Sequence, residues 1–333
     1  MMYEPEFLQR LQQALRLALP AWGMPSDAAL KLLSISENAT YLVEDTTTGA
    51  RLVMRMQRPE YHTDAEIQSE LAWVGALRES GLVHTAEPLR TKNGQWIHKV
   101  EDGEITHRIT AFSFIQGQEP ALEGELHHWY RMLGTTNARL HQHSRQWKAP
   151  AGFVRKHWNF DTLIGPQAHW GDWREAQSLT AADISLLEQV QARLKTLCQA
   201  YGQSSNRYGL VHCDMRLANL LVEGEKLAVV DFDDCGFSWY LYDFAACISF
   251  IELDPRVPQL LEAWLEGYRS VSPVDDEDVA MVSPFIMLRR MQLTAWIASH
   301  AETPTAQRMG EAYVRGTVEM GQDFLERFKE FAA

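Results

Sequence analysis

Cysteine is scarce. The 333-residue chain has 4, at Cys198, Cys213, Cys235 and Cys247, with no CxxC spacing and each inside an apparent helix or strand. That excludes a disulfide framework and reads as reduced thiols. No apolar run approaches the length of a membrane span. In the opening "MMYEPEFLQRLQQALRLALP", charge begins at the fourth residue, which reads as an amphipathic helix rather than a signal peptide. Basic excess is missing too, since 31 Lys and Arg against 44 Asp and Glu leave a formal net charge of -13. Surfaces that track nucleic-acid phosphates need clustered Lys and Arg, so nucleic acid is excluded as a partner and a cationic or metal-chelated one fits better. Internal repeats and low-complexity linkers are also lacking. Together these absences lead us to expect a soluble, cytoplasmic protein; they name no oligomeric state.

The chain is long enough for a large core and two lobes. Because no linker marks a boundary, the division must appear as a change of periodicity. "LKLLSISENATYLVEDTTTGARLVMRMQRP" reads as strand, turn, strand, turn, strand, with Gly49 in the second turn. A helix is expected from about Asp64 to Glu79. "TAEPLRTKNGQWIHKV" and "ITAFSFIQG" complete a small sheet, with Asn93-Gly94 as a hairpin signal. Beyond Gly117 the pattern turns helical, through Leu126, Tyr130, Leu133 and Leu140, then Leu187, Val190, Leu194, Cys198 and Tyr201. The expected fold class is α+β, with a small antiparallel sheet lobe over residues 1–112, a hinge at 113–118 and a mostly helical lobe over 119–333.

One stretch interrupts the helical half, "YGLVHCDMRLANLLVEGEKLAVVDFDDCGFSWYLYDFA", residues 208–245. His212, Asp214 and Asn219 stand there as H-x-D-x-x-x-x-N between two apolar runs. Twelve residues past Asn219, Asp231 ends another apolar run. Asp and Asn are common turn residues, but the full spacing between strand-like runs points to more than a turn. Phosphoryl transfer needs such a set: one carboxylate to orient the acceptor hydroxyl, and an Asn with another Asp to hold magnesium on the phosphates. His212 reads as a structural residue that fixes the loop by hydrogen bonds.

In the sheet lobe, the period of two in "ARLVMRMQ" puts Leu52, Met54 and Met56 on one face and Val53 and Arg55 on the other. A positive head and a small apolar side chain thus share a surface suited to phosphate and adenine. The following helix has an apolar stripe of Ile67, Leu71, Val74 and Leu77, and Glu70 falls inside it. A carboxylate there needs a partner, for which Arg55 is the candidate; Glu66 is the alternative acid.

The motifs "HCDMRLAN", "VVDFDD" and "YLYDFA" resemble those of the aminoglycoside kinase, choline kinase and type II homoserine kinase superfamily, whose members share the protein-kinase-like fold. In style the chain is most similar to the subgroup of homoserine kinase-like and stress-response Ser/Thr kinase proteins. The resemblance covers nearly the whole chain, including "SENATYLV", "RLVMRMQRP" and "EGYRSV". It implies ATP as donor, Asp214 as catalytic base, and Asn219 and Asp231 as Mg2+ ligands. It also implies an N-terminal nucleotide-binding lobe, with Ser36, Asn38, Thr40, Val53, Phe114 and Ile115 as nucleotide contacts and Arg55 and Glu70 in place of the usual lysine–glutamate pair. Arginine departs from that pattern, but its fork can hold a carboxylate and a phosphate oxygen together. "SISENATY" takes the place of the glycine-rich loop without any glycine; its small and hydroxyl residues can still bring N–H groups near phosphates. Asp243 reads as a helix N-cap, and the resemblance adds that it ties down the catalytic loop.

Three functions follow: a kinase of small hydroxylated metabolites such as amino alcohols or hydroxy amino acids, a protein Ser/Thr kinase, or a nucleotide-binding scaffold without turnover. Only about a dozen residues separate Asp231 from Asp243, which argues against a phosphorylation-controlled activation segment. For the acceptor, Trp158, Trp170 and Trp173 either surround an ammonium group by cation–π contact or seal the helical core. Arg289 and Arg290 are candidates to meet a substrate carboxylate. Asp233 and Asp234 are either acceptor or second-metal ligands, or solvated turn carboxylates. The histidine pairs His127/His128 and His141/His143 do not suggest a zinc site.

Overall fold

The computed structural model describes residues 5–35 and 38–329. Two compact units divide the chain. One runs up to Gln118 and takes in Lys148–Arg155 and Leu221–Asp233; the other holds Glu119–Trp147, Lys156–Leu220 and the chain from Asp234 onward. A single cut near residue 118 would miss the two later segments that return to the first unit.

The first unit opens with helix α1 (Pro5–Ala18), followed by strands β1 (Ala29–Ile35), β2 (Ala39–Glu44) and β3 (Arg51–Met56), helix α2 (Asp64–Ser80), and strands β4 (Pro88–Leu89), β5 (His98–Asp102) and β6 (Ile105–Ser113). All pairings are antiparallel in the order β1-β2-β3-β6-β4, with β5 also on β6. Leu11, Ala14, Leu15 and Ala18 recur at helical spacing on α1 and pack on Tyr41, Val43, Leu52, Met54 and Ile109 of the sheet. A capping box of Thr63 and Glu66 starts α2, and Gly81 in the left-handed region (φ 67) ends it. The helix therefore matches its expected span to within a residue.

The Asn93-Gly94 hairpin is corrected. A turn is present, closed by Thr91 and Gln95, but β4 and β5 each pair with β6 rather than with each other. The tight reversal lies between β5 and β6, at Gly103 (φ 65).

The second unit contains α3 (Leu126–Gln146), α4 (Phe160–Leu163), α5 (Ala181–Tyr201) and β7 (Tyr208–Val211). The chain then returns to the first unit, where β8 (Leu220–Glu223) and β9 (Lys226–Val229) form a two-stranded sheet. It continues as β10 (Gly236–Trp239), antiparallel to β7, and then α6 (Tyr242–Cys247), α7 (Val257–Arg269), α8 (Asp276–Ala280), α9 (Val282–Ser299) and α10 (Pro304–Arg327). Helices α3 and α7 touch backbone to backbone. A Cβ on Gly134 would sit 1.9 Å from the Trp264 carbonyl oxygen, and one on Gly267 equally close to that of Arg131. Only glycine permits this approach. The four cysteines are free and buried. Among the described residues, no helix is long and apolar enough to cross a membrane.

Candidate active site

In the first unit, the polar face of β3 carries Arg55, whose guanidinium is 4 % exposed. Its Nη2 donates to both oxygens of Glu70, at 2.7 and 2.6 Å. Glu70 is reached because α2 presents it among Ile67, Leu71 and Val74, all buried. Glu66, the alternative acid, is engaged in the α2 capping box. Nη1 of Arg55 lies 3.4 Å from Asp231 Oδ1, and Nη2 lies 3.6 Å from Asp233 Oδ1. Burial alone would disfavour this charge, yet Glu70, then Asp233 and Asp231, hold the Arg55 pKa above its ordinary value. A lysine has one ammonium and no fork to address three carboxylates at once, which gives the arginine a physical reason here.

Asp233 is buried and therefore no solvated turn carboxylate. Its Oδ2 is 3.4 Å from His62 Nε2, and its carbonyl accepts a hydrogen bond from Arg155, which also donates to the Glu66 carbonyl at 3.0 Å. Burial raises the Asp233 pKa, but His62 and Arg55 outweigh it and hold the carboxyl far below the usual range. Asp231, two residues earlier, is half-exposed and adopts φ 62, uncommon outside glycine. Of the expected nucleotide contacts, Ser36 lies outside the described residues. Asn38 accepts the Arg58 N–H at 3.1 Å, which ties the start of β2 to the end of β3. Thr40 is opposite Arg55 in the β2–β3 register. Val53 is partly buried on the Arg55 face; Phe114 and Ile115 are partly buried, with the Arg51 guanidinium 4.2 Å from the Phe114 ring centroid.

In the second unit, β7 delivers His212 and Asp214 to a loop that ends in the short turn Leu217–Asn219. Asp243 fixes this loop. Its Oδ1 accepts the Cys213 N–H at 2.8 Å and its Oδ2 the His212 N–H at 3.3 Å. The N-cap reading is corrected, because Asp243 lies inside the first turn of α6 and the capping residue is Leu241. Oδ2 also accepts from Asn137 Nδ2 and His141 Nε2, each at 3.0 Å. Asn137 and His141 are on α3, and Trp264 Nε1 of α7 in turn holds Asn137 Oδ1 at 2.9 Å. Close α3–α7 packing thus reaches the loop through Asp243. Cys213 is held at φ 67, immediately before Asp214. His212 is fully buried, and its Nδ1 accepts the Asp214 N–H at 3.3 Å, closing the loop on itself.

Asp214 is 18 % exposed. Its Oδ1 takes Arg289 Nη2 at 2.7 Å; its Oδ2 takes Asn219 Nδ2 at 2.8 Å and Arg216 Nε at 3.3 Å. Asn219 Nδ2 also donates to the Asp214 carbonyl at 2.8 Å. With its nitrogen committed, Asn219 has its Oδ1 as the atom left for a cation, the donor a hard divalent ion takes. In the first unit, the half-exposed carboxylate of Asp231 is a hard oxygen donor of the same chemical kind.

Several expected substrate contacts are elsewhere. Trp158 and Trp173 are among the most deeply buried side chains, and Trp158 Nε1 donates to the Asp234 carbonyl at 2.8 Å. They seal the second unit. Arg289 meets Asp214 rather than offering itself to a ligand, and Arg290 is buried against Glu252 at 2.7 Å. The Arg289 and Asn137 contacts were missed by sequence reasoning; in Arg289's case the adjacent Arg289 and Arg290 in a mostly apolar helix signal buried partners without saying which neighbour each meets.

The buried His141 gives a pH prediction. Burial lowers its pKa below the ordinary 6.5, with Asp243 opposing. The unfolded chain therefore takes up the proton first, so stability is intact above 6.5 and falls as pH drops below it. Melting temperature should decline more steeply on acidification in the wild type than in His141→Gln; identical slopes would assign the loss to other groups.

These two units carry the α+β protein-kinase-like fold, an antiparallel N-terminal sheet with a mostly helical remainder. Residues 30–277 match the model of the phosphotransferase enzyme family, and the chain belongs to that family. The solved structure of a microcompartment-associated aminopropanol kinase is 37% identical and superposes with a TM-score of 0.88 over 95% of this chain and 98% of that one. Amicoumacin kinase of Bacillus subtilis (strain 168) is 21% identical over 291 residues, 84% of this chain and 82% of that protein. An amicoumacin kinase solved with AMP-PNP, Ca2+ and Ami shares the fold, with a TM-score of 0.76 at 18% identity over 95% of this chain and 94% of that one. The chain is an ATP-dependent kinase whose acceptor is a hydroxyl of a small molecule.

Proposed function

We propose that the acceptor is a small amino alcohol, with Asp214 as the base that orients its hydroxyl and Asn219 and Asp231 as Mg2+ ligands. On this reading Arg55, held by Glu70, meets the ATP phosphates, while Asn38, Thr40, Val53, Phe114 and Ile115 belong to the nucleotide side. When bound, magnesium supplies charge neutralisation at the phosphates. The four buried thiols support a reducing compartment such as the cytoplasm.

The observation that carries the acceptor class is the engagement of Arg289 and Arg290. A hydroxy amino acid such as homoserine brings a carboxylate that needs a cation. The two α9 guanidiniums suited to that task are buried and already bonded to Asp214 and Glu252. An amino alcohol brings an ammonium instead, which suits an acidic chain. The 37% identity to an aminopropanol kinase supports the same class.

ADP release tests this with aminopropanol, ethanolamine, homoserine and a generic protein as acceptors. Aminopropanol or ethanolamine should give the highest kcat/KM. Preference for homoserine would return the chain to the homoserine kinase subgroup, and preference for the protein would make it a protein kinase of the stress-response type.

A further inference from the structure

Arg289 has three different bonds and almost no contact with solvent. The side chain is 2 % exposed. Nη2 donates to Asp214 Oδ1 at 2.7 Å, Nε to Ser249 Oγ at 3.1 Å, and Nη1 to Gln292 Oε1 at 3.2 Å. Gln292 Oε1 also accepts the hydroxyl of buried Tyr242. The guanidinium carbon lies over the Trp170 ring, 5.3 Å from its centroid. A planar cation bonded along three directions has one orientation, and burial fixes it further. Burial disfavours the charge, yet Tyr242 and Asp214 hold the Arg289 pKa above its ordinary value.

We propose that Arg289 is a positioning residue for Asp214, a proposal that rests on reading Asp214 as the base. The carboxylate stands on a loop, and a free carboxylate rotates about its terminal bond. Arg289 anchors Oδ1 from the core of the unit while Asn219 addresses Oδ2, so rotation would break bonds at both ends. The base is thereby aligned before the acceptor arrives. The gain lies in orientation, where displacement by an ångström is enough to slow an enzyme by about a hundredfold. It should appear in kcat and not in nucleotide affinity, because no Arg289 donor need touch the nucleotide.

The test compares Arg289→Ala, Arg289→Met and Arg289→Lys with Asp214→Asn and the Asp214→Asn/Arg289→Ala double variant. Turnover is read with aminopropanol and as slow ATP hydrolysis, in which water stands in for the acceptor. We expect Arg289→Ala to lower kcat by about tenfold to a hundredfold with AMP-PNP affinity unchanged. Added guanidinium ion should restore part of the loss, Arg289→Lys should be intermediate, and the double variant should be no slower than Asp214→Asn alone. If Arg289→Ala does not fold, Arg289→Met, which keeps the volume without the charge, should show the kcat loss. Full turnover in Arg289→Met would overturn the proposal. So would a loss in Arg289→Ala that adds fully to that of Asp214→Asn and is untouched by guanidinium. Should Asp214→Asn itself retain both activities, the reading of Asp214 as base fails, and the positioning role falls with it. A wrong acceptor class, by contrast, abolishes only the aminopropanol readout.

Discussion

Asp214→Asn is expected to reduce turnover by on the order of a hundredfold or more while leaving the dissociation constant of AMP-PNP nearly unchanged. Phosphoryl transfer passes through a loose transition state in which the acceptor needs orientation more than activation, so a base there contributes little to holding the nucleotide. Asparagine keeps the shape of the side chain and a carbonyl oxygen that can still meet Arg289. It removes the charge and the second acceptor oxygen, which lies near Asn219 Nδ2 and Arg216 Nε. The loop itself does not depend on the Asp214 carboxylate, because Asp243 holds the His212 and Cys213 N–H groups. Folding should therefore persist, and the melting curve provides the control. Calorimetry with AMP-PNP and steady-state turnover separate the two quantities. Undiminished turnover would remove Asp214 as the base; a collapse of nucleotide affinity would make it a residue that supports the loop.

What the sequence revealed, and what it hid, follows from the range of each interaction. The α1 stripe of Leu11, Ala14, Leu15 and Ala18 and the alternation of Leu52, Met54 and Met56 are local periods, and the structure buries both. Glu70 announced a partner because a carboxylate inside an apolar stripe has to be paired, and Arg55 lies 15 positions away on the neighbouring strand. The spacing from His212 to Asn219 was legible because a whole loop is encoded in eight consecutive residues. Asn137 and His141 offered no such signal, since their partner Asp243 lies more than a hundred residues away. On α9 nearly every position from Val282 to Ile297 is buried, so the helix has no polar face against which Arg289 could stand out as facing a particular neighbour. Burial of Asp233 was hidden for a related reason. Consecutive carboxylates in "DFDD" look like a solvated turn until His62 and Arg55 are seen to enclose one of them. At Asn93-Gly94 the local turn chemistry was read correctly, but pairing is decided by the strand each flank meets, and both meet β6.

Asp231→Asn should abolish the strengthening of nucleotide binding by magnesium and lower turnover by about a hundredfold or more, because a divalent ion contributes several kcal/mol to stabilising charge on the transferring phosphoryl group. The substitution is a clean one. Asparagine tolerates the left-handed backbone at φ 62 at least as well as aspartate does, so the change costs the loop little. What is lost is the negative charge that a hard cation prefers, from a side chain 47 % exposed and therefore open to a ligand. Arg55 loses one of three carboxylate neighbours but keeps Glu70 and Asp233, so its buried charge stays paired. The check is calorimetry of AMP-PNP binding with and without Mg2+, which needs no acceptor and no turnover. In the wild type the metal should tighten binding; in Asp231→Asn the two measurements should converge. If the variant keeps the full magnesium effect, Asp231 is not a metal ligand. Asp233 could not simply take its place, since its carboxylate is 6 % exposed and lies against His62 and Arg55. The metal would then have to be held from the Asn219 side of the chain, and Asn219→Ala, measured in the same way, would have to lose what Asp231→Asn had kept.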